Sequence, residues 1–292
     1  NIKKFLKLKM FYICTKFLNN IRFCKLKMKK ELTYSLVAIL FFLSFAKAQR
    51  HEIGVQLGVS NLVGDIGRTN YVLQKPVGSI SDNGLPFYGG LMYRMNFNPY
   101  QTIRLNLGYS HIQFDDRYAK ENYRRMRQLS GTNSVFSADL LFEYNFLPVN
   151  DEQVSMLSPY IFGGLSGLYM EAAKPELTIR SATDVLVDYN QEKAFTMGIP
   201  FGVGLKYKFN YNWALSGEFT FRPTFSDQVD YSMLKEADVT VRKTALTEEN
   251  TALVVQDFIN KRSIGNPNSK DWVNSATLIL SYSFGRPPCY CK

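Results

Sequence analysis

Residues 195–209, FTMGIPFGVGLKYKF, alternate with a period of two along their whole length. One face reads Phe195, Met197, Ile199, Phe201, Val203, Leu205, Tyr207 and Phe209. The other reads Thr196, Gly198, Pro200, Gly202, Gly204, Lys206 and Lys208. Successive side chains leave a strand on opposite sides, so this period specifies β structure. Large apolar residues set against glycine and lysine exceed what one face of a soluble sheet needs. They suit a strand whose apolar side meets lipid and whose small, charged side lines a narrow interior.

Seven further segments repeat the pattern, near 51–62, 86–97, 100–116, 134–146, 158–169, 213–222 and 271–284. In 134–146, Phe136, Ala138, Leu140, Phe142, Tyr144 and Phe146 oppose Ser137, Asp139, Glu143 and Asn145; in 271–284, Trp272, Ala276, Leu278, Leu280, Tyr282 and Phe284 oppose Ser275, Thr277, Ser281 and Ser283. The facing of 158–169 stays open, because Ile161, Phe162, Leu165 and Leu168 do not share a side. Crossing a bilayer takes about 9–11 tilted strand residues, which the segments provide. Connections alternate between long (63–85, 117–133, 170–194, 223–270) and short (Asn98-Pro99, 147–157, Asn210 to Asn212). The pattern predicts an all-β, eight-stranded antiparallel transmembrane β-barrel over 49–284, in the outer membrane. The long loops are expected outside and both termini in the periplasm. A soluble β-sandwich would show short alternating strands, but neither this loop rhythm nor polar faces of small and charged residues.

Residues 28–48, MKKELTYSLVAILFFLSFAKA, carry Lys29 and Lys30, a short apolar run from Leu36 to Phe45, and Ala46-Lys47-Ala48. This predicts a signal peptide cleaved before Gln49. Residues 1–27 precede Met28 and are expected to be an upstream mis-start. Residues 1–48 hold eleven Lys/Arg and one acid, whereas 49–292 hold 24 of each sign. The basic balance of the whole chain therefore belongs to the leader and argues for no nucleic-acid partner. Cys14 and Cys24 fall in the leader, and Cys289 and Cys291 fall in the tail 285–292.

The polar faces place Glu52, Arg94, Arg104, Asp139, Glu143, Lys206, Lys208, Glu218 and Arg222 in the lumen. Eight strands leave an interior that side chains can fill, and near-balanced buried charges should pair there. The expectation is a plug, not a pore. Enzyme chemistry has little to stand on. His51 starts the first strand, and Ser110 and His111 are sequence neighbours that point to opposite faces, so they cannot form a nucleophile–base pair. Cys289 and Cys291 fall short of a four-ligand metal site. Gly163-Gly164 and Gly202/Gly204 read as lumen or bend glycines, and no phosphate-binding loop is present, so no cofactor is expected. Segment 250–262 predicts a short helix in the last long connection, with Leu253, Val254, Phe258 and Ile259 on one side.

Three stretches carry a family likeness: EIGVQLGVSNLVGDIG (52–67), PYIFGGLSGL (159–168) and GNPNSKDWVNSATLILSYSFGRPPCYC (265–291). The chain resembles the PorG-like outer-membrane barrels of the type IX secretion machinery. The resemblance implies a non-enzymatic component of protein secretion, and of gliding in some cells. It would anchor or organise a periplasmic ring of PorK-like lipoprotein and PorN-like protein. The tail Gly285, Arg286, Pro287, Pro288, Cys289, Tyr290, Cys291 is then the expected partner-binding hook, with Cys289 and Cys291 bonded to each other or to a partner. The competing functions are a stand-alone porin-like or adhesin barrel and, further off, a lipid A-modifying enzyme.

Overall fold

The computed structural model describes residues 50–72, 74–76, 84–150, 156–181, 183–266 and 269–285. The expected signal peptide, the residues before it and the tail from 286 onward lie outside them.

Eight strand positions close into a ring. Strand β1 (Arg50–Val63) pairs with β2 (Tyr88–Asn96) on one side and with β10 (Trp272–Phe284) on the other. The ring continues through β3 (Gln101–Asp115), β4 (Ser130–Asn145) and β5 (Met156–Ile179). The next position is shared by β6 (Val185–Gly198) and β7 (Phe201–Lys208), which pair with the far and near parts of β5. Strand β8 (Trp213–Phe221) links β7 to β10. Every contact around the ring is antiparallel, so the fold is an eight-stranded antiparallel transmembrane β-barrel with no open edge in its wall.

The wall's outer face is apolar. Ile53, Val55, Leu57, Leu91, Leu105, Leu107, Leu140, Leu165, Val203, Leu215, Leu278 and Leu280 are all exposed on it. Aromatic clusters border this band. At the short-turn end His51 stacks on Tyr93 and Phe284, Tyr144 meets Phe146, and Trp213 meets Tyr282. At the long-loop end Phe87, Tyr109 and Phe136 are joined, as are Phe201, Phe221, Trp272 and Tyr71. Such belts mark the two interfaces of a bilayer.

The segment 195–209 is two strands, not one. Proline supplies no N–H to a ladder, and the break falls at Ile199-Pro200. There the carbonyl of Pro200 accepts from Gly164 N at 2.9 Å and Ile199 N donates to Pro223 O at 3.1 Å. The expected loop 170–194 is likewise corrected. Strands β5 and β6 run on past the apolar band and turn only at 180–184, where Arg180 N donates to Asp184 O at 3.0 Å. This stretch mixes Val, Leu and Thr with charges, which gives a water-exposed hairpin in place of a loop.

Strand β9 (Thr240–Thr244) adds in parallel to the hairpin's β5 arm. Two helices occupy the long connections, α1 (Asn122–Arg127) and α2 (Glu248–Arg262). Helix α2 covers the hairpin through Val255 and Ile259, which pack with Leu177, Ile179 and Leu234. Its seam differs from the expected one. Val254, Phe258 and Ile259 pack there, whereas Leu253 is 65% exposed and Val255 takes its place. Val255, Phe258 and Ile259 share an i, i+3, i+4 face, and Leu253 lies about 200° round the helix from Val255.

Candidate functional site: the filled lumen and its cap

The nine lumen residues read from the sequence all lie inside the barrel and are buried: Glu52, Arg94, Arg104, Asp139, Glu143, Lys206, Lys208, Glu218 and Arg222. Six of them form one lattice near the short-turn end. Glu52 accepts from Lys206 Nζ at 2.8 and 3.0 Å, from Asn96 Nδ2 at 2.9 Å and from Arg94 at 3.5 Å. Glu143 accepts from Arg94 Nε at 3.0 Å and from Arg104 Nη1 at 3.2 Å. Glu218 accepts from Arg94 Nη2 at 3.3 Å, from both terminal nitrogens of Arg104, and from the Tyr160 hydroxyl. Ser281 reaches Glu52 at 3.5 Å.

These groups come from β1, β2, β3, β4, β5, β7, β8 and β10, so the lattice ties every position of the ring to the others across the lumen. A separate pair, Arg222 to Asp139 at 2.8 Å, stands beside it, with Ser166 also donating to Asp139. Buried charges of this kind hold because each finds an opposite partner. Ser281 was read from the sequence as a polar-face residue of the last strand, whereas Tyr160 and Ser166 were not anticipated. Tyr160 and Ser166 lie in the strand whose facing the apolar pattern left open.

Toward the long-loop end the interior turns apolar. Leu62, Ile112, Phe114, Val135, Leu168, Met170 and Val273 point inward from the strands, and Ile66 and Val229 fold in from the connections. The connections are held by carboxylates. Asp230 accepts from Asp65 N, Ile66 N and Ser232 N at 2.7, 2.9 and 2.9 Å. Asp271 accepts from Val229 N at 3.0 Å. Asp65 accepts from Asn266 N at 2.7 Å, and Lys270 pairs with Asp227.

The carboxylates of Asp230 and Asp271 face each other at Gly64. A Cβ there would sit 2.6 Å from Oδ2 of Asp230 and 2.6 Å from Oδ1 of Asp271. Burial, reinforced by the neighbouring Asp230 carboxylate, pushes the Asp271 carboxyl up to about 9, and burial also raises Asp230. A proton shared between them removes the repulsion of two close negative charges.

The folded pKa of Asp271 lies above the usual value near 4 of an unfolded chain, so the cap binds a proton that the unfolded segment does not. Its stability is full below about pH 4 and falls as pH rises toward about 9. Asp271→Asn keeps an acceptor for Val229 N and offers Nδ2 to Asp230 at every pH. We expect the variant's 63–72 and 226–232 segments to resist protease at pH 10 better than the wild type, with little difference at pH 5. Equal loss of protection with rising pH in both proteins would contradict the shared proton.

The remaining candidates are dispersed. His51 lies in the short-turn aromatic belt, its Nδ1 2.8 Å from Tyr93 Oη. Ser110 is buried on the inner face, while His111 lies on the outer face near Phe87, so the two do not meet. Among the described residues, no group of three or more His, Cys, Asp or Glu could hold a metal ion. Gly285 follows β10 with φ +91°, and the rest of the expected hook, Arg286 to Cys291, lies outside the described residues.

The family described as Domain of unknown function (DUF6089) matches residues 30–259. No curated protein matches the sequence. Several solved barrels are similar in structure at low identity. The attachment invasion locus protein Ail of Yersinia pestis, in complex with the heparin analogue sucrose octasulfate, is 13% identical with a TM-score of 0.39, covering 81% of this chain and 99% of that one. A major outer membrane protein of Thermus thermophilus is 13% identical with a TM-score of 0.38, covering 81% of this chain and 100% of that one. OprG of Pseudomonas aeruginosa is 11% identical with a TM-score of 0.36, covering 82% of this chain and 97% of that one.

Proposed function

This chain belongs to the DUF6089 family, and we propose that its barrel is a non-enzymatic scaffold of the type IX protein secretion machinery in the outer membrane. The observation that carries this reading is the filled interior. One ionic lattice spans all eight ring positions and an apolar layer lies beyond it, so the working surfaces are the outer wall, the loops and the tail. A scaffold needs a rigid frame that stays closed while load is applied at its ends, and the lattice supplies one.

The long-loop end is read as facing the cell exterior, with both termini in the periplasm. The tail after Phe284 would then reach a periplasmic ring of PorK-like lipoprotein and PorN-like protein. Support for those partners comes from the sequence likeness, above all from GRPPCYC after the last strand. Co-purification in mild detergent tests the reading. The ring proteins should accompany the full-length barrel and be lost when 285–292 is removed. A barrel that purifies alone with its tail intact would favour the second reading, a stand-alone barrel that binds a ligand through its loops. The specific feature favouring that reading is the folded hairpin–β9–α2 unit with its own apolar core.

A further inference from the structure

We infer that an arginine–tyrosine cluster around α1 binds the phosphate groups of the phosphorylated glycolipid in the leaflet surrounding the barrel. The inference rests on the proposed orientation, in which this end faces outward.

The segment 115–127, DDRYAKENYRRMR, holds five bases and three acids in a chain that is otherwise balanced after the leader. Its acids are paired internally, Glu121 with Arg124 at 3.8 Å. Asp115 holds Arg117 at 2.6 Å and Asp116 holds Arg127 at 2.9 Å, and both carboxylates are buried. Arg124 is a tether, donating to Gly64 O at 3.0 Å and Gly67 O at 3.2 Å, which draws the loop over the barrel mouth. Lys120 and Arg125 remain exposed with no acidic partner among the described residues.

The guanidinium groups are set in place by two rings. Arg68, from the connection after β1, lies 4.9 Å from the Tyr118 centroid, and Arg117 lies 6.0 Å from the same ring. Arg124 and Arg127 both lie 5.9 Å from Tyr123. Arg68 is the stacked guanidinium with no acid beside it among the described residues, and stacking pre-orients its planar fork, which matches the oxygens of a phosphate, beside the unstacked Lys120 and Arg125. Tyr123 and Met126 are exposed at its edge.

The hairpin and the β8–β10 connection have the reverse sign: over 171–194 and 223–262 there are ten acids and eight bases once Asp230, which is buried, and Asp227, which pairs with Lys270, are set aside. An anion is therefore steered toward α1 and away from α2. Height selects the source. Strand β3 leaves the aromatic belt at Tyr109 and continues six residues to Asp115. At about 3.3 Å per residue and a tilt of about 40°, that lifts α1 roughly 15 Å above the apolar band. Phosphorylated sugars anchored in the same leaflet stand at that level and at high local concentration.

The test uses the full mature chain in detergent, titrated with lipopolysaccharide, with the same glycolipid stripped of phosphate, and with its lipid-free phosphorylated core. Two triple variants are compared, Arg68→Gln/Lys120→Gln/Arg125→Gln and, on the β8–β10 connection, Arg242→Gln/Lys243→Gln/Lys261→Gln. None of these residues belongs to the lumen lattice, and a native heat-shifted gel band reports that each variant folds. The first triple should weaken lipopolysaccharide binding about tenfold or more, with affinity falling as salt rises. The second should leave it unchanged. Equal binding of the dephosphorylated glycolipid, equal loss in both triples, or binding of the soluble core alone would overturn the proposal. A membrane-impermeant amine reagent on intact cells should label Lys120. Failure to label overturns the orientation, and with it the leaflet assignment, separately from phosphate recognition by the purified protein. Ring co-purification is read independently and does not depend on either triple.

Discussion

Glu218→Ala is expected to destabilise the barrel by about 3–5 kcal/mol, the range for removing one partner of a buried ionic network. Glu218 alone accepts from Arg94, Arg104 and Tyr160. Its loss leaves two buried guanidinium groups relying on Glu143 and a long contact to Glu52. Glu218→Gln keeps the shape and one acceptor, so its cost should be smaller. Removing Arg104 and Glu218 together should cost less than the two single changes summed, because each single change strands the other's charge. Urea unfolding in lipid vesicles, followed by tryptophan fluorescence, reports these differences. A Glu218→Ala midpoint equal to that of the wild type would show that the lattice carries no stability.

Gly204→Val is the second large effect. A Cβ at Gly204 would meet Tyr160 Cζ at 2.3 Å and its hydroxyl at 2.6 Å. The outer end of the tyrosine ring lies over the glycine of the neighbouring strand, and its hydroxyl reaches Glu218. Valine forces the ring out, adding overpacking to the loss of a hydrogen bond to a charged group, together about 3–5 kcal/mol. Gly89 supplies the control, because a Cβ there meets nothing within 4 Å. Gly89→Val should unfold at the wild-type urea concentration. Equal midpoints for the two variants would contradict the account.

The barrel wall was legible because lipid imposes one simple rule, an apolar residue at every second position, over many strands. The lumen charges were legible as the complement of that rule. The rule failed where the interior is itself apolar or aromatic. In 158–169 the inward Tyr160, Phe162 and Leu168 are as hydrophobic as the outward Ile161 and Leu165, so alternation cannot say which side faces lipid. Glycine was the missing signal. Gly202 and Gly204 leave room for the rings of Phe162 and Tyr160 on the adjacent strand, and such pairing is invisible until register is known.

Above the bilayer the lipid rule no longer acts. The hairpin continues β5 and β6 with alternating polarity suited to water, and its core comes from β9 and α2, more than forty residues further along the chain. The Asp230–Asp271 pair likewise joins the early part of the β8–β10 connection to its last residue, 41 positions on, at Gly64 of the β1–β2 connection. Sequence separation hides such contacts, whereas the local charge surplus of 115–127 stands in the open.

The claim that the interior is sealed, and that function lies on the outside of the barrel, is tested most directly by conductance. Purified protein inserted into planar bilayers at neutral pH should leave the current at baseline across the voltage range, while protease protection or a heat-shifted gel band confirms that it has inserted and folded. Stable, discrete current steps from the folded wild-type barrel would contradict the account.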